Sequence, residues 1–194
     1  MTEDLGNGVI TFTDEKTGEL KAVREENICY ADADFLNVFS FPLVAGTPSL
    51  ELPKTMAMSA SMANKLFGKT NVAGRSIQLS NQFGNTDYRI TAIFKDITEQ
   101  SDLKPSILLS LHTLQSAAAR NDNDWADPGT TENNFTNCYL VLKKGVNARA
   151  ISQQITGLIH AAQPATAGNT TYYNRSGTCT WHPVSITLFK LMAA

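Results

Sequence analysis

The stretch MSASMANKLFGKTNVAGRSIQL, Met58 to Leu79, decides how the chain is read. From Ala63 it runs A-x-x-x-x-G-K-T, one residue away from a nucleotide-binding P-loop. A P-loop needs glycine at both ends because its backbone amides curl around phosphate, and it has to follow a strand and open a helix. Here the order is reversed. Ser59 is a good N-cap, Met62, Ala63, Leu66 and Phe67 recur at helical spacing, and Gly68 stands where a left-handed C-cap residue is expected. Lys69-Thr70 therefore follows a helix end. The reading is a strand, a capped helix from Ser59 to Phe67, a turn and a second strand, with Leu66 and Phe67 in a core, Gly68 at positive φ and no nucleotide site.

Outward from this point, RSIQLSNQFGNTDYRITAIFKDI reads as a hairpin in which Asn and Gly supply the turn. Ile90, Ala92 and Phe94 alternate with Arg89, Thr91 and Lys95, so one face is expected inside and the other wet. Upstream, GVITFTDEKTGELKAVRE reads as two strands joined at Thr-Gly, and ENICYAD as a third. DADFLNVFSFPLVAG, rich in Phe35, Leu36, Val38, Phe39, Phe41 and Leu43, reads as a helical turn entering a buried strand. Downstream, Pro105 is placed at the first position of a helix through about Arg120, with Ile107, Leu111, Leu114 and Ala118 on one stripe. NDNDWADPGTTENN is a loop, FTNCYLVLKKG a strand, Asn147 the cap of a helix carrying Ile151, Ile155, Leu158 and Ile159, and CTWHPVSITLFK a last strand. Strands and helices in this mixed order indicate an α+β or mixed α/β fold.

With 194 residues, 42% of them hydrophobic, the chain can build one domain or two small lobes. A net charge of −2 with scattered basic residues leaves no electrostatic footprint for nucleic acid. The run SILLSLHTLQSAAA is too short and too polar to cross a bilayer. MTEDLGNGVITFTDE has neither the basic nor the apolar region of a signal peptide, and a chain opening in mid-pattern is expected to be a segment of a longer protein.

Catalytic signatures are sparse. Asp122, Asp124, Asp127 and Glu132 lie close together, but an EF-hand loop wants a ligand where Ala126 stands and glycine where Asp127 stands, so a solvated acidic loop is expected in place of calcium. His112, His160 and His182 are far apart and outside any ligand motif, and His112 and His160 lie beside apolar positions. Cys29, Cys138 and Cys179 lack C-x-x-C spacing; one disulfide with a thiol left over and three buried thiols are both open. No G-x-S-x-G elbow is present. A spatially assembled carboxylate pair is the one catalytic arrangement left open. No catalytic, cofactor-binding or metal-ligating residue is assigned, and no cofactor is expected.

Four segments together resemble the MacB-like periplasmic core domain of FtsX-related ABC transporter permeases. DADFLNVFSFPLVAGTP is similar to that family's run of Phe residues leading into a Leu-x-x-Gly turn. MSASMANKLFGKTNVAGRSIQL is similar to its strand, its Ser-capped helix ending in Lys-x-Phe-Gly and its Val-x-Gly-Arg/Lys hairpin entry, here Val72, Gly74 and Arg75. YRITAIFKDITEQSDLKPSILLSL is similar to Val-x-Gly-Val-x-x-Asp-Ile-Pro-x-x-Ser-His, with Ala92 for Gly, Thr98 for Pro and Asp102 for His. NCYLVLKKGVN and WHPVSITLFK resemble the late strand and the return toward the second membrane helix.

The resemblance implies a bilobed α+β domain on the periplasmic face of a bacterial inner membrane, between transmembrane helices 1 and 2 of a permease. Its Porter-like βαβ lobe is expected at residues 1–38 and 99–194, and a smaller mixed α/β, Sabre-like insert at 39–98. It implies a non-enzymatic part of an export or efflux machine. The partners implied are a cytoplasmic ATP-binding subunit, a second permease copy, a periplasmic adaptor and an outer-membrane channel. The cargo implied is a peptide, a macrolide or a lipoprotein. The alternatives are a regulatory module that transmits ATPase motion to a cell-wall hydrolase, and a soluble enzyme with a carboxylate pair. The excised domain is expected to be monomeric or weakly associated, with both chain ends on one side.

Overall fold

The computed structural model describes residues 6–14, 17–97, 103–129, 135–143, 145–162, 172–181 and 184–193, with the backbone alone after residue 158. They fall into two compact units that divide after Pro128.

The first unit is built on one mixed, eight-stranded sheet. Its strands are β1 (Gly8–Thr13), β2 (Leu20–Glu25), β3 (Ile28–Ala31), β4 (Leu43–Gly46), β5 (Thr55–Ser59), β6 (Ser76–Asn81), β7 (Gly84–Phe94) and β8 (Ile107–Ser110). The hydrogen-bonded order is β2-β1-β6-β7-β5-β8-β3, and β4 lies beside β7. The first hairpin forms as expected, with Gly8 opposite Glu25 and Thr13 opposite Leu20. The second closes more tightly than expected. Asn81 faces Gly84, the Asn81 side chain accepts from the Phe83 amide at 2.9 Å, and Gly84 takes φ +92. A turn ending in a left-handed glycine matches the twist of the flanking strands.

Helix α1 (Phe35–Val38) is one turn, and α2 (Ala60–Phe67) is the helix read from the opening stretch. Ser59 Oγ accepts from the Met62 amide at 3.2 Å, and Gly68, at φ +68, returns its amide to Asn64 O at 2.8 Å. Both ends are thus capped by residues suited to the task. Met62, Ala63 and Leu66 are buried on the sheet. Phe67 is not the full core residue expected; it is half-buried, meets the Phe12 ring at a tilt with 5.4 Å between centroids, and lies beneath the Arg75 guanidinium at 5.4 Å.

The core is aromatic at one end, where Phe35, Phe39, Phe41 and Phe94 contact one another. In β7 the expected alternation holds through Thr91, but Ile93 is then as buried as Ala92 and Phe94. There β7 lies between β5 and β4, in mid-sheet.

Two readings are corrected here. Residues 107–110 form strand β8, followed by 3-10 turns at Leu111–Gln115 and Ala118–Arg120, and not a helix from Pro105. All of Ile107, Leu108, Leu109 and Ser110 are buried between β3 and β5, and a short run buried on both faces carries no period to tell strand from helix. The strand after α1, β4, is largely exposed, because it pairs only with β7 and its apolar anchor is the preceding Phe41.

The segment expected as an insert, residues 39–98, supplies β4 to β7. These are hydrogen-bonded to β1 on one side and β8 on the other, within one continuous sheet.

The second unit contains β9 (Cys138–Val141), α3 (Ala148–Ala162), β10 (Tyr172–Trp181) and β11 (Val184–Ala193), with sheet order β10-β11-β9. Asn147 caps α3, its Oδ1 accepting from the amides of Arg149 and Ala150 at 3.0 and 3.2 Å. The single closing strand expected at CTWHPVSITLFK is instead parts of two strands, paired from Trp181–Val184 to Tyr172–Ala193.

Candidate functional site

At the opening stretch, the backbone shows why no phosphate cradle forms. Gly68 closes α2, so Lys69 and Thr70 lie at the carbonyl end of that helix, where the dipole disfavours an anion. A cleft of about 340 Å³ beside them is lined by Asp14, Lys21, Lys65, Phe67 and Lys69. Asp14 is bridged to Lys21, and Lys65 reaches Glu25 at 3.5 Å. A second, open cleft of about 450 Å³ is lined by Gly6, Gly8, Arg24, Ser80 and Gln82. Neither cleft holds a carboxylate pair.

At the other end of α2 the sequence carried an unread signal. Asp96 follows β7 in the segment FKDI. Its Oδ1 accepts from the Ser61 amide at 3.0 Å and from Ser61 Oγ at 2.5 Å. The free amides of the first helical turn thus receive a carboxylate from a distant segment as well as the Ser59 cap. Burial pushes the Asp96 carboxyl up, but the bonds from Ser61 and Ser59 outweigh it and hold the group below its ordinary value of 3.8. The unfolded carboxyl therefore binds its proton at higher pH than the folded one. The contribution of Asp96 is complete above about pH 4 and is lost as pH falls through the lower folded value.

Asp96→Asn is expected to cost about 0.5–1 kcal/mol at pH 7, the lower part of the capping range because the site is exposed. Urea midpoints of the two proteins should converge on acidification. A gap of equal size at pH 7 and pH 3 would contradict this.

Two buried polar arrangements complete the first unit. Tyr30 and Tyr88 share a hydroxyl contact at 3.2 Å, and Asn81 Nδ2 donates to Tyr30 at 3.3 Å. Burial raises both phenols above their ordinary value of 10, so the pair stays neutral. In the acidic loop, Arg120 is buried. It donates through Nη1 to Leu114 O at 2.6 Å and lies 2.9 Å from Asp127 and 3.9 Å from Asp124. Of the carboxylates considered for calcium, Asp124 and Asp127 thus face an internal cation, Asp122 is exposed, and Glu132 lies outside the described residues. Among the described residues there is no group of three or more metal-ligating side chains.

His112 sits in the 3-10 turn after β8, the side chain of His160 is not described, and His182 lies outside the described residues. Cys29 is buried and Cys138 exposed. Cys138 lies opposite Leu191 and Cys179 opposite Ile186, five positions apart on β11 and on opposite sides of it. At roughly 3.3 Å per residue that exceeds the Cα separation a disulfide spans. A Cys138–Cys179 bridge is therefore incompatible with this register.

The MacB-like periplasmic core domain family matches residues 6–158, and the chain belongs to it. It is thereby an extracytoplasmic permease domain by family. A solved domain of a protein described as a permease, from Porphyromonas gingivalis, is similar over 96% of this chain and 75% of its own, with a TM-score of 0.53 and 16% identity. That likeness concerns the fold alone. No curated protein matches. Among the described residues, no helix is long and apolar enough to cross a membrane.

Proposed function

We propose that this domain is a mechanical, non-enzymatic part of an ABC transporter permease. Hydrolysis of ATP by a cytoplasmic subunit moves it together with a second permease copy, and a peptide, macrolide or lipoprotein-type cargo is passed across the envelope. The observation that carries this reading is the family match over residues 6–158, joined to a P-loop look-alike that is the closed end of a helix. Nucleotide chemistry is then left to another subunit. The interleaved sheet supports a mechanical role, because force applied to an inner strand reaches hydrogen-bonded neighbours on both sides.

The Porter-like assignment of residues 1–38 and 99–194 and the Sabre-like assignment of 39–98 belong to the same proposal. Limited proteolysis of the domain tests those boundaries. Location on the periplasmic face between membrane helices 1 and 2 follows from the proposal. So do an adaptor and an outer-membrane channel as partners.

The test uses the intact permease with its ATPase in cells lacking both. Cargo extrusion should return with the hydrolysis-competent ATPase and fail with a hydrolysis-dead one. Equal recovery with both would overturn the coupling. If no cargo is extruded and a cell-wall hydrolase is instead activated, the regulatory reading replaces it.

A further inference from the structure

Between β4 and β5 the chain crosses the sheet as a strap, residues 47–54, with no secondary structure of its own. Its fastening is unusual in kind. Ser110 Oγ donates to Leu50 O at 2.6 Å, Thr91 Oγ1 to Ser49 O at 2.9 Å, and Thr55 Oγ1 to Leu52 O at 2.6 Å. Thr113 Oγ1 accepts from the Lys54 amide at 2.8 Å. Backbone bonds fix only its ends, from the Thr47 amide to Thr91 O and from the Arg89 amide to Lys54 O. Of residues 47–54 only Leu50 is buried, at 0% exposure, and it sits in the core cluster that contains Phe35, Phe41, Phe94 and Leu108. Both flanks are at positive φ, Gly46 at +79 and Lys54 at +60.

We infer that residues 47–54 form a hinged strap that opens as a unit of its own, drawing Leu50 from an apolar socket formed by β7, β5 and β8 while the sheet stays paired. The physical ground is the balance of a single apolar plug and four side-chain hydroxyl bonds against the ordering of eight residues. Each hydroxyl bond contributes little net stability, and each ordered residue costs entropy of similar size. The strands beneath share ladders with neighbours on both sides, so their release requires global unfolding. The two positive-φ residues at the ends confine the change of backbone angle to two hinges.

Amide hydrogen exchange on the full 194-residue chain tests this. The amides of Thr47 and Lys54 are expected to exchange at least about tenfold faster than the ladder amides of β7, through an opening distinct from global unfolding. Ser110→Ala and Thr113→Val should each speed the strap amides severalfold and leave the β6–β7 ladder unchanged. Exchange of strap and ladder together in the unaltered protein would overturn the inference, and that measurement stands even if a variant fails to fold. Variants that leave the strap rates unmoved, or that speed strap and ladder equally, would overturn it as well.

Discussion

Gly46→Ala is expected to abolish folding of the first unit at physiological temperature. Gly46 takes φ +79 where β4 presses on β7, and a Cβ there would lie 2.2 Å from Thr91 O and 3.0 Å from both Ala73 Cβ and Ala92 Cα. Neither Thr91 O nor Ala92 Cα can swing aside, since both belong to a strand held by β5 on its other edge. The left-handed angle alone costs roughly 1–2 kcal/mol for a residue with a Cβ, and the clash brings the loss above about 4 kcal/mol, a large part of the 5–15 kcal/mol that holds a typical domain. Gly68→Ala is the control. It shares the positive φ, at +68, but its Cβ would meet nothing within 4 Å, so about 1 kcal/mol is expected. Denaturant unfolding followed by circular dichroism separates the two. A Gly46→Ala protein with a midpoint near that of Gly68→Ala would mean that β4 does not approach β7 as described.

Phe94→Ala is the second large effect, expected to cost about 3–5 kcal/mol. Phe94 is fully buried and stacks on Phe41 at 5.5 Å, and through Phe41 it joins Phe35 and Phe39. Its removal leaves a cavity bounded by strands that cannot close on it. Phe94→Leu keeps most of the volume and is expected to cost less than about 1.5 kcal/mol. Phe67→Ala should fall well below Phe94→Ala, because Phe67 is only half-buried against Phe12 and Arg75. Equal losses at 67 and 94 would show that the aromatic cluster is not the centre of the core.

Local signals in the sequence were sufficient wherever the physics is local. Ser59 and Gly68 cap α2 through bonds to residues three and four positions away, and Asn147 caps α3 in the same manner. The Asn81–Gly84 turn and the Thr-Gly hairpin likewise depend on short-range backbone angles. The rejection of a nucleotide site followed from the same caps, because they set which end of the helix faces Lys69. The motif spacing over residues 32 to 110 also sufficed to identify the family.

What the sequence could not determine depended on neighbours far along the chain. Ile107 is at helical spacing to Leu111 and Leu114, and its segment became a strand only because β3 and β5 offer edges on both sides. Asp96 carried no structural role in the local sequence pattern, and the position of Ser61, 35 residues earlier, makes it a second cap. Leu50 lies in a polar, proline-flanked stretch and is a core residue because Ser110 and Thr91 draw its backbone down onto the sheet. Propensity acts over a turn or two of chain, whereas pairing and burial are settled by which distant strands arrive, and that belongs to the tertiary structure alone.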